Sequence, residues 1–144
     1  MKKFVVIFSL LVLSITPVLA SNWVQLSPNE YIDTYSIRKE NYMWSNRGNY
    51  YSLWIKYTNN CSPIFQDYTT GQCNRNIHYS LSQYIVDCEN KKIGVKGFAK
   101  YNEDGETISS NTLSDYQVVW DNVIPDSKGE TWYNYACQYL KGGY

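Results

Sequence analysis

The sequence predicts an α+β fold, a single antiparallel meander of about six strands packed by one C-terminal α-helix and stapled by disulfides. Three observations carry that prediction. All 15 tyrosines and all 5 tryptophans fall after residue 20, where only two phenylalanines stand, Phe65 and Phe98. Aromatic side chains with a polar tip suit half-buried sheet faces. The stretch NYYSLWIKYT, 49–58, alternates with period two, and SKGE at 127–130 has the spacing of a helix capping box.

The first twenty residues stand apart. Met1-Lys2-Lys3 is a short basic start, Phe4 to Ile15 an apolar run too brief to span a bilayer, and Val18 and Ala20 are small residues before polar Ser21. This is the pattern of a secretory signal peptide, 1–20, cleaved after Ala20. Position 21 holds no cysteine to take a lipid, so the mature chain is expected to be soluble and exported to the periplasm, the cell surface or the medium. Of the 144 residues, 124 remain at 21–144, enough for one domain. Lys2 and Lys3 leave with the signal, so 11 basic residues face 13 acidic ones. Near-neutral charge without a basic cluster argues against nucleic acid as a partner.

Strands are expected at 22–26 and 30–36, divided by the turn Ser27-Pro28-Asn29. In 49–58, Tyr51, Leu53, Ile55 and Tyr57 share one face, and Tyr50, Ser52, Trp54 and Lys56 the other. Residues 59–76 are rich in Asn, Ser, Pro, Thr and Gly and read as an inserted loop. Strand character resumes at 77–88, with an irregularity near Leu81-Ser82-Gln83. In 92–101, Ile93 and Val95 lie on one face and Lys92, Lys96 and Lys100 on the other. The turn 102–105 ends in Gly105, which can take positive φ, and strands at 106–112 and 116–120 complete the meander.

Pro125 blocks an earlier helix start, Ser127 and Glu130 cap it, and Gly142-Gly143 ends it. Trp132, Tyr133, Ala136, Cys137 and Leu140 then form the face that lies on the sheet. The four cysteines, Cys61, Cys73, Cys88 and Cys137, are all in the exported part, and an even number in an oxidising compartment reads as two disulfides. Zinc wants closer pairs such as CxxC. Cys88 closes a strand, so Cys137 is expected to staple the helix to it, leaving Cys61 to pair with Cys73 across the loop they bracket. In the chain-entropy model these closures stabilise by about 4 and about 3 kcal/mol.

No catalytic constellation emerges, and the chain is expected to be no enzyme and to need no cofactor. His78 is the single histidine and has no evident carboxylate to orient it. Asn102, Asp104 and Glu106 place oxygens at alternate positions without the twelve-residue calcium pattern, and read as a hairpin. For binding, Tyr and Trp dominate interface hot spots. The densest aromatic group is Tyr42, Trp44, Tyr50, Tyr51 and Trp54, of which Tyr50 and Trp54 are the candidate binding residues. The disulfide loop is a second candidate, with Ile64, Phe65 and Tyr68 expected at its surface, since a clamped loop loses less entropy on binding.

The segments YIDTYSIRK, YYSLWIKYTN, SLSQYIVDCENKKIGVKGFAKYNEDGETI and WDNVIPDSKGETWYNYAC resemble, in order and spacing, the surface-adhesin protein E family of Gram-negative bacteria. The resemblance covers most of residues 21–144, and Cys88 and Cys137 fall on that family's paired cysteines. It implies an antiparallel sheet packed by a C-terminal helix, and a non-enzymatic role in binding host matrix or plasma proteins. The alternative is a periplasmic accessory or assembly factor whose partner is another envelope protein. Either way the expected partner is a protein, a homodimer stays open, and no span of the membrane is expected.

Overall fold

The computed structural model describes residues 21–42 and 48–138. The signal peptide, Trp44, Leu140 and the Gly142-Gly143 helix stop lie outside them.

Among the described residues, seven antiparallel strands form one sheet: β1 (Trp23–Ser27), β2 (Glu30–Glu40), β3 (Tyr50–Thr58), β4 (Tyr79–Asp87), β5 (Lys92–Tyr101), β6 (Thr107–Thr112) and β7 (Trp120–Asn122). β1 to β6 lie side by side in chain order, each of β1 to β5 pairing with its successor, and β7 returns to β5. The outer edge of β5 is thereby shared, with β6 on residues 97–101 and β7 on residues 92–94. One helix, α1 (Lys128–Gln138), follows. The meander, the helix and both disulfides, Cys61–Cys73 and Cys88–Cys137, are as the sequence predicts.

Three elements differ from expectation. β2 continues to Glu40 because an irregularity between Asp33 and Arg38 absorbs extra residues. There the Ser36 hydroxyl donates to Asp33 O and accepts from Trp54 N at 3.0 Å, replacing the missing ladder bond. Residues 116–120 are not one strand. Gln117 Oε1 accepts from Ser114 N at 3.0 Å and Gln117 N donates to Ser114 O at 2.9 Å, winding Asp115–Gln117 into a 3-10 turn before β7 begins. The irregularity expected near Leu81-Ser82-Gln83 sits opposite, on β5, where Gln83 pairs with Gly97 and Tyr84 with Val95, so that Lys96 is the extra residue of a bulge.

The helix start follows its signal with one change. Ser127 Oγ accepts from Glu130 N at 3.2 Å, but the Glu130 carboxylate reaches Asp126 N at 2.8 Å, because Ser127 N is already spent on Ile124 O. From there α1 buries Trp132 and Ala136 on a core of Ile32, Tyr51, Leu53, Ile55, Val86 and Ile93. Tyr133 Oη donates to Cys88 O at 3.1 Å beside the Cys88–Cys137 bridge, fixing the last turns.

A smaller core occupies the opposite face, where Tyr42, Ile85 and Val118 gather Tyr50, Leu113 and Trp120. Gly94 makes it fit. A Cβ there would lie 2.5 Å from Val118 Cγ1 and 2.9 Å from Val119 O, so only glycine lets residues 118–120 lie on the sheet.

Candidate functional site

The helix covers only part of its face of the sheet. The uncovered part forms a groove of about 790 Å³, within the size range of small-ligand sites. Its floor is the exposed face of β4 and β5, with Ser80, Ser82 and Tyr84 opposite Lys100, Phe98 and Val95, and Ser109 of β6 at the side. One wall is the turn from Ser27 to Glu30 with Lys128 at the helix start; the other is the disulfide loop, through Asn60, Ser62, Ile64 and Tyr68.

The β5 bulge builds this floor. An unbroken strand would put Phe98, with Lys96 and Lys100, on the face opposite Val95. The extra residue at Lys96 instead puts Val95, Phe98 and Lys100 opposite Tyr84, Ser82 and Ser80, alternate residues of one β4 face. The expectation that Lys92, Lys96 and Lys100 share a face is therefore corrected. Lys96 points to the other side, where it pairs with Asp115 and lies 5.8 Å from the Tyr42 ring, while Lys100 enters the groove.

The wall at the helix start is held by a buried acid. Glu30 is 3 % exposed, accepts from Trp132 Nε1 at 2.8 Å and pairs with Lys128. The Trp132 ring packs against Tyr84 and Tyr57, with centroids 4.4 and 6.4 Å away, and the two phenol oxygens are 3.1 Å apart. Burial, then the neighbouring Tyr84, raises the Tyr57 phenol far above the usual range. Burial likewise raises Tyr84. Both stay protonated at physiological pH and present a hydrogen-bonded phenol pair to the groove.

The candidate binding residues are dispersed. Tyr68, 90 % exposed, stands at the groove edge with Lys100 Nζ 5.8 Å from its ring. Phe65, expected beside it at the surface, is fully buried. The short loop turns it inward: Phe65 N donates to Ser62 O and Asn74 N to Phe65 O, closing Pro63–Phe65 as a 3-10 turn. A residue with no exposed surface cannot touch a partner. Ile64, by contrast, lines the groove.

Tyr50 belongs to the second core, its ring 5.1 Å from Tyr42 and 6.0 Å from Trp120. Trp54 pairs with Asp33 and Gln83 on the sheet face opposite the groove, so the structure does not bring it to Tyr68. On that face Lys56 lies over Trp23 and Tyr79, and Tyr79 stacks on Tyr101 at 4.7 Å. Tyr42 and Tyr51 are core residues. His78 is exposed, its ring edge-on to Tyr79, and Asn102 to Glu106 form a hairpin in which Glu106 N donates to Asn102 Oδ1 at 2.8 Å.

The groove residues Ser80, Ser82, Val95, Phe98 and Lys100 were not singled out by the sequence. One signal was available. Small hydroxyl residues at Ser80 and Ser82 precede Tyr84 and Val86 on one face of β4, which marks where that face stops meeting a packed partner.

The profile described as surface-adhesin protein E matches residues 23–138. Among solved structures, crystal form II of Haemophilus influenzae protein E is similar at 15% identity and TM-score 0.57, covering 86% of this chain and 93% of that one. A second Haemophilus influenzae protein E structure is 16% identical with TM-score 0.55, covering 88% of this chain and 92% of that one. Protein E from non-typeable Haemophilus influenzae is 14% identical with TM-score 0.55, over 88% of this chain and 82% of that one. At these identities the structural likeness speaks for the fold alone. No curated protein matches the chain.

Proposed function

We infer the function from one premise: this chain belongs to the surface-adhesin protein E family. The reading is an exported, non-enzymatic binding protein with an adhesin-like role, whose ligand is a host matrix or plasma protein. Residues 1–20 act as the signal peptide and the mature chain begins at Ser21.

The observation that supports a binding role is the convergence on the groove of three exposed large apolar residues, Tyr68, Val95 and Phe98. Exposed apolar surface rimmed by polar groups marks interaction sites, and here Asn60, Ser62 and Ser109 supply the rim. The loop that carries Tyr68 is closed by Cys61–Cys73, so less conformational entropy is lost when it meets a partner.

The test is capture by purified mature protein, run in parallel on host matrix and plasma proteins and on an envelope extract. The expected result is a host protein retained by the native chain and lost with Tyr68→Ser, Phe98→Ser at an unchanged melting temperature. Capture from the envelope extract alone would replace the adhesin reading with that of an accessory factor. Mass spectrometry of the exported protein checks the start at Ser21.

A further inference from the structure

Among the described residues, one of the two lysines that line the groove has no acidic partner. Lys100 lines it and makes no ion pair among the described residues, its nearest aromatic partner being the Tyr68 ring. Glu30 is the sole carboxylate among the lining residues, and it is occupied by Trp132 Nε1 and by Lys128. Across the sheet Lys100 stands between Ser80 of β4 and Ser109 of β6, while along β5 the groove floor continues through Phe98, opposite Ser82, to Val95, with Ile64 on the loop wall.

We propose that the groove binds an extended acidic peptide segment of the partner, with a carboxylate on Lys100 and a neighbouring aromatic or aliphatic side chain on Val95 and Phe98. This rests on reading the chain as a protein-binding module and adds the chemistry that the module selects. Charge complementarity calls for an anion at Lys100, and the apolar floor calls for a large side chain next to it. The hydroxyls of Ser82 and Ser109 decide between sources of that carboxylate, since Ser80 is buried with its hydroxyl donated to Ala99 O. A fatty acyl chain laid along them would strip their water and return no hydrogen bond, at a cost in free energy. A peptide backbone offers them amide and carbonyl partners at each residue. An acidic sugar would meet the hydroxyls but leave Val95, Phe98 and Ile64 facing polar groups.

The experiment uses mature protein with both disulfides intact and two fluorescein-labelled hexapeptides, Gly-Asp-Phe-Asp-Leu-Gly and its Asn-for-Asp isostere, read by polarisation, with sialyllactose and decanoate as competitors. The acidic peptide should bind about tenfold tighter than the isostere, the loss expected when a charge-assisted hydrogen bond is removed. That preference should fade as salt screens the charge. Lys100→Met keeps the aliphatic stem beside Tyr68 and should abolish the preference, Lys100→Arg should keep it, and melting curves confirm that both variants fold. Equal binding of the two peptides, absence of binding by both, or tighter binding of sialyllactose or decanoate would overturn the proposal. Host-protein capture is measured on the same variants. Capture that survives Lys100→Met removes the acidic-peptide assignment and leaves the binding role standing, whereas capture absent from the native chain removes the role itself.

Discussion

Glu30 offers a sharp test of how the helix is seated, because its two partners sit in different surroundings. Trp132 is 8 % exposed and gives Glu30 a buried N–H, while the Lys128 side chain is 66 % exposed and gives it a charge largely in water. Glu30→Ala removes both partners and leaves the indole N–H orphaned beneath the helix. A hydrogen bond to a charged group contributes about 1.5–3 kcal/mol, and a stranded buried donor costs about 1–3 kcal/mol, two measures of one loss. With the small void added, the expected cost is about 2–4 kcal/mol. Glu30→Gln keeps an oxygen for Trp132 but loses the charge assistance of that bond, about 1 kcal/mol, and the attraction to Lys128, which as a solvent-screened pair is worth under about 1 kcal/mol. At roughly 4 °C per kcal/mol for a domain of this size, alanine should lower Tm by about 8–16 °C and glutamine by about 4–8 °C. Thermal unfolding followed by tryptophan fluorescence measures both. Equal losses in the two variants would mean that the charge, not the acceptor, holds the helix, and a loss under about 4 °C for alanine would mean that Glu30 does not hold it at all.

Phe65→Ala should cost about 3–5 kcal/mol as a large-to-small change at a fully buried site, whereas Tyr68→Ala should stay within about 0.5 kcal/mol; denaturant titration separates them, and equal effects would contradict their placement. Replacing Cys88 and Cys137 together by serine should cost about 4 kcal/mol, and replacing Cys61 and Cys73 about 3 kcal/mol or less, by the same titration with no free thiol to exchange. Asp67 accepts from Thr70 N and Thr69 N, both at 2.9 Å, and these bonds hold its carboxyl below the usual range. A depressed folded-state pKa gives stability that is present above the ordinary carboxylate pKa and is lost as pH falls through the lowered value. Protection of the Thr69 and Thr70 amides, taken as exchange relative to the intrinsic rate at each pH, should therefore fall on acidification through that window, and Asp67→Asn should remove that pH dependence.

The covered half of the molecule was legible in the sequence because each of its signals is local. Alternation in 49–58 places Tyr51, Leu53 and Ile55 in the core, and the helix signature at Ser127 and Glu130 puts Trp132 and Ala136 over them. Asp87 next to Cys88 works in the same local way, its carboxylate accepting from Glu89 N and Asn90 N at 3.0 Å and so turning the chain immediately after the half-cystine. Burial of Phe65 was not legible, since a thirteen-residue clamp that reads as polar loop still needs one side chain to fill its own interior. Nor was the placement of Lys96 and Lys100 on opposite faces. A bulge changes parity for every residue after it, and nothing in VKGFAK announces which residue is the extra one.

The groove itself follows from a length mismatch that the sequence does contain. α1 has 11 residues and so is about 16 Å long, while β5 has 10 and runs about 33 Å. A single helix of that length cannot cover strands of that length. Its position is not free either, because Cys137 is bonded to Cys88 just beyond β4, which draws the helix toward the end of the sheet where Val86 and Ile93 lie. The far end, from Ser80 to Tyr84 and from Val95 to Lys100, is then left to whatever else the chain supplies. The disulfide loop inserted between β3 and β4 walls that region through Ile64 and Tyr68 without sealing it, so the residues there remain half-open. A sheet that only had to fold would place charge or continuous hydroxyls on such a remainder. Val95 and Phe98 stand there instead, 41 % and 36 % exposed, and it is on this departure that the proposed binding role rests.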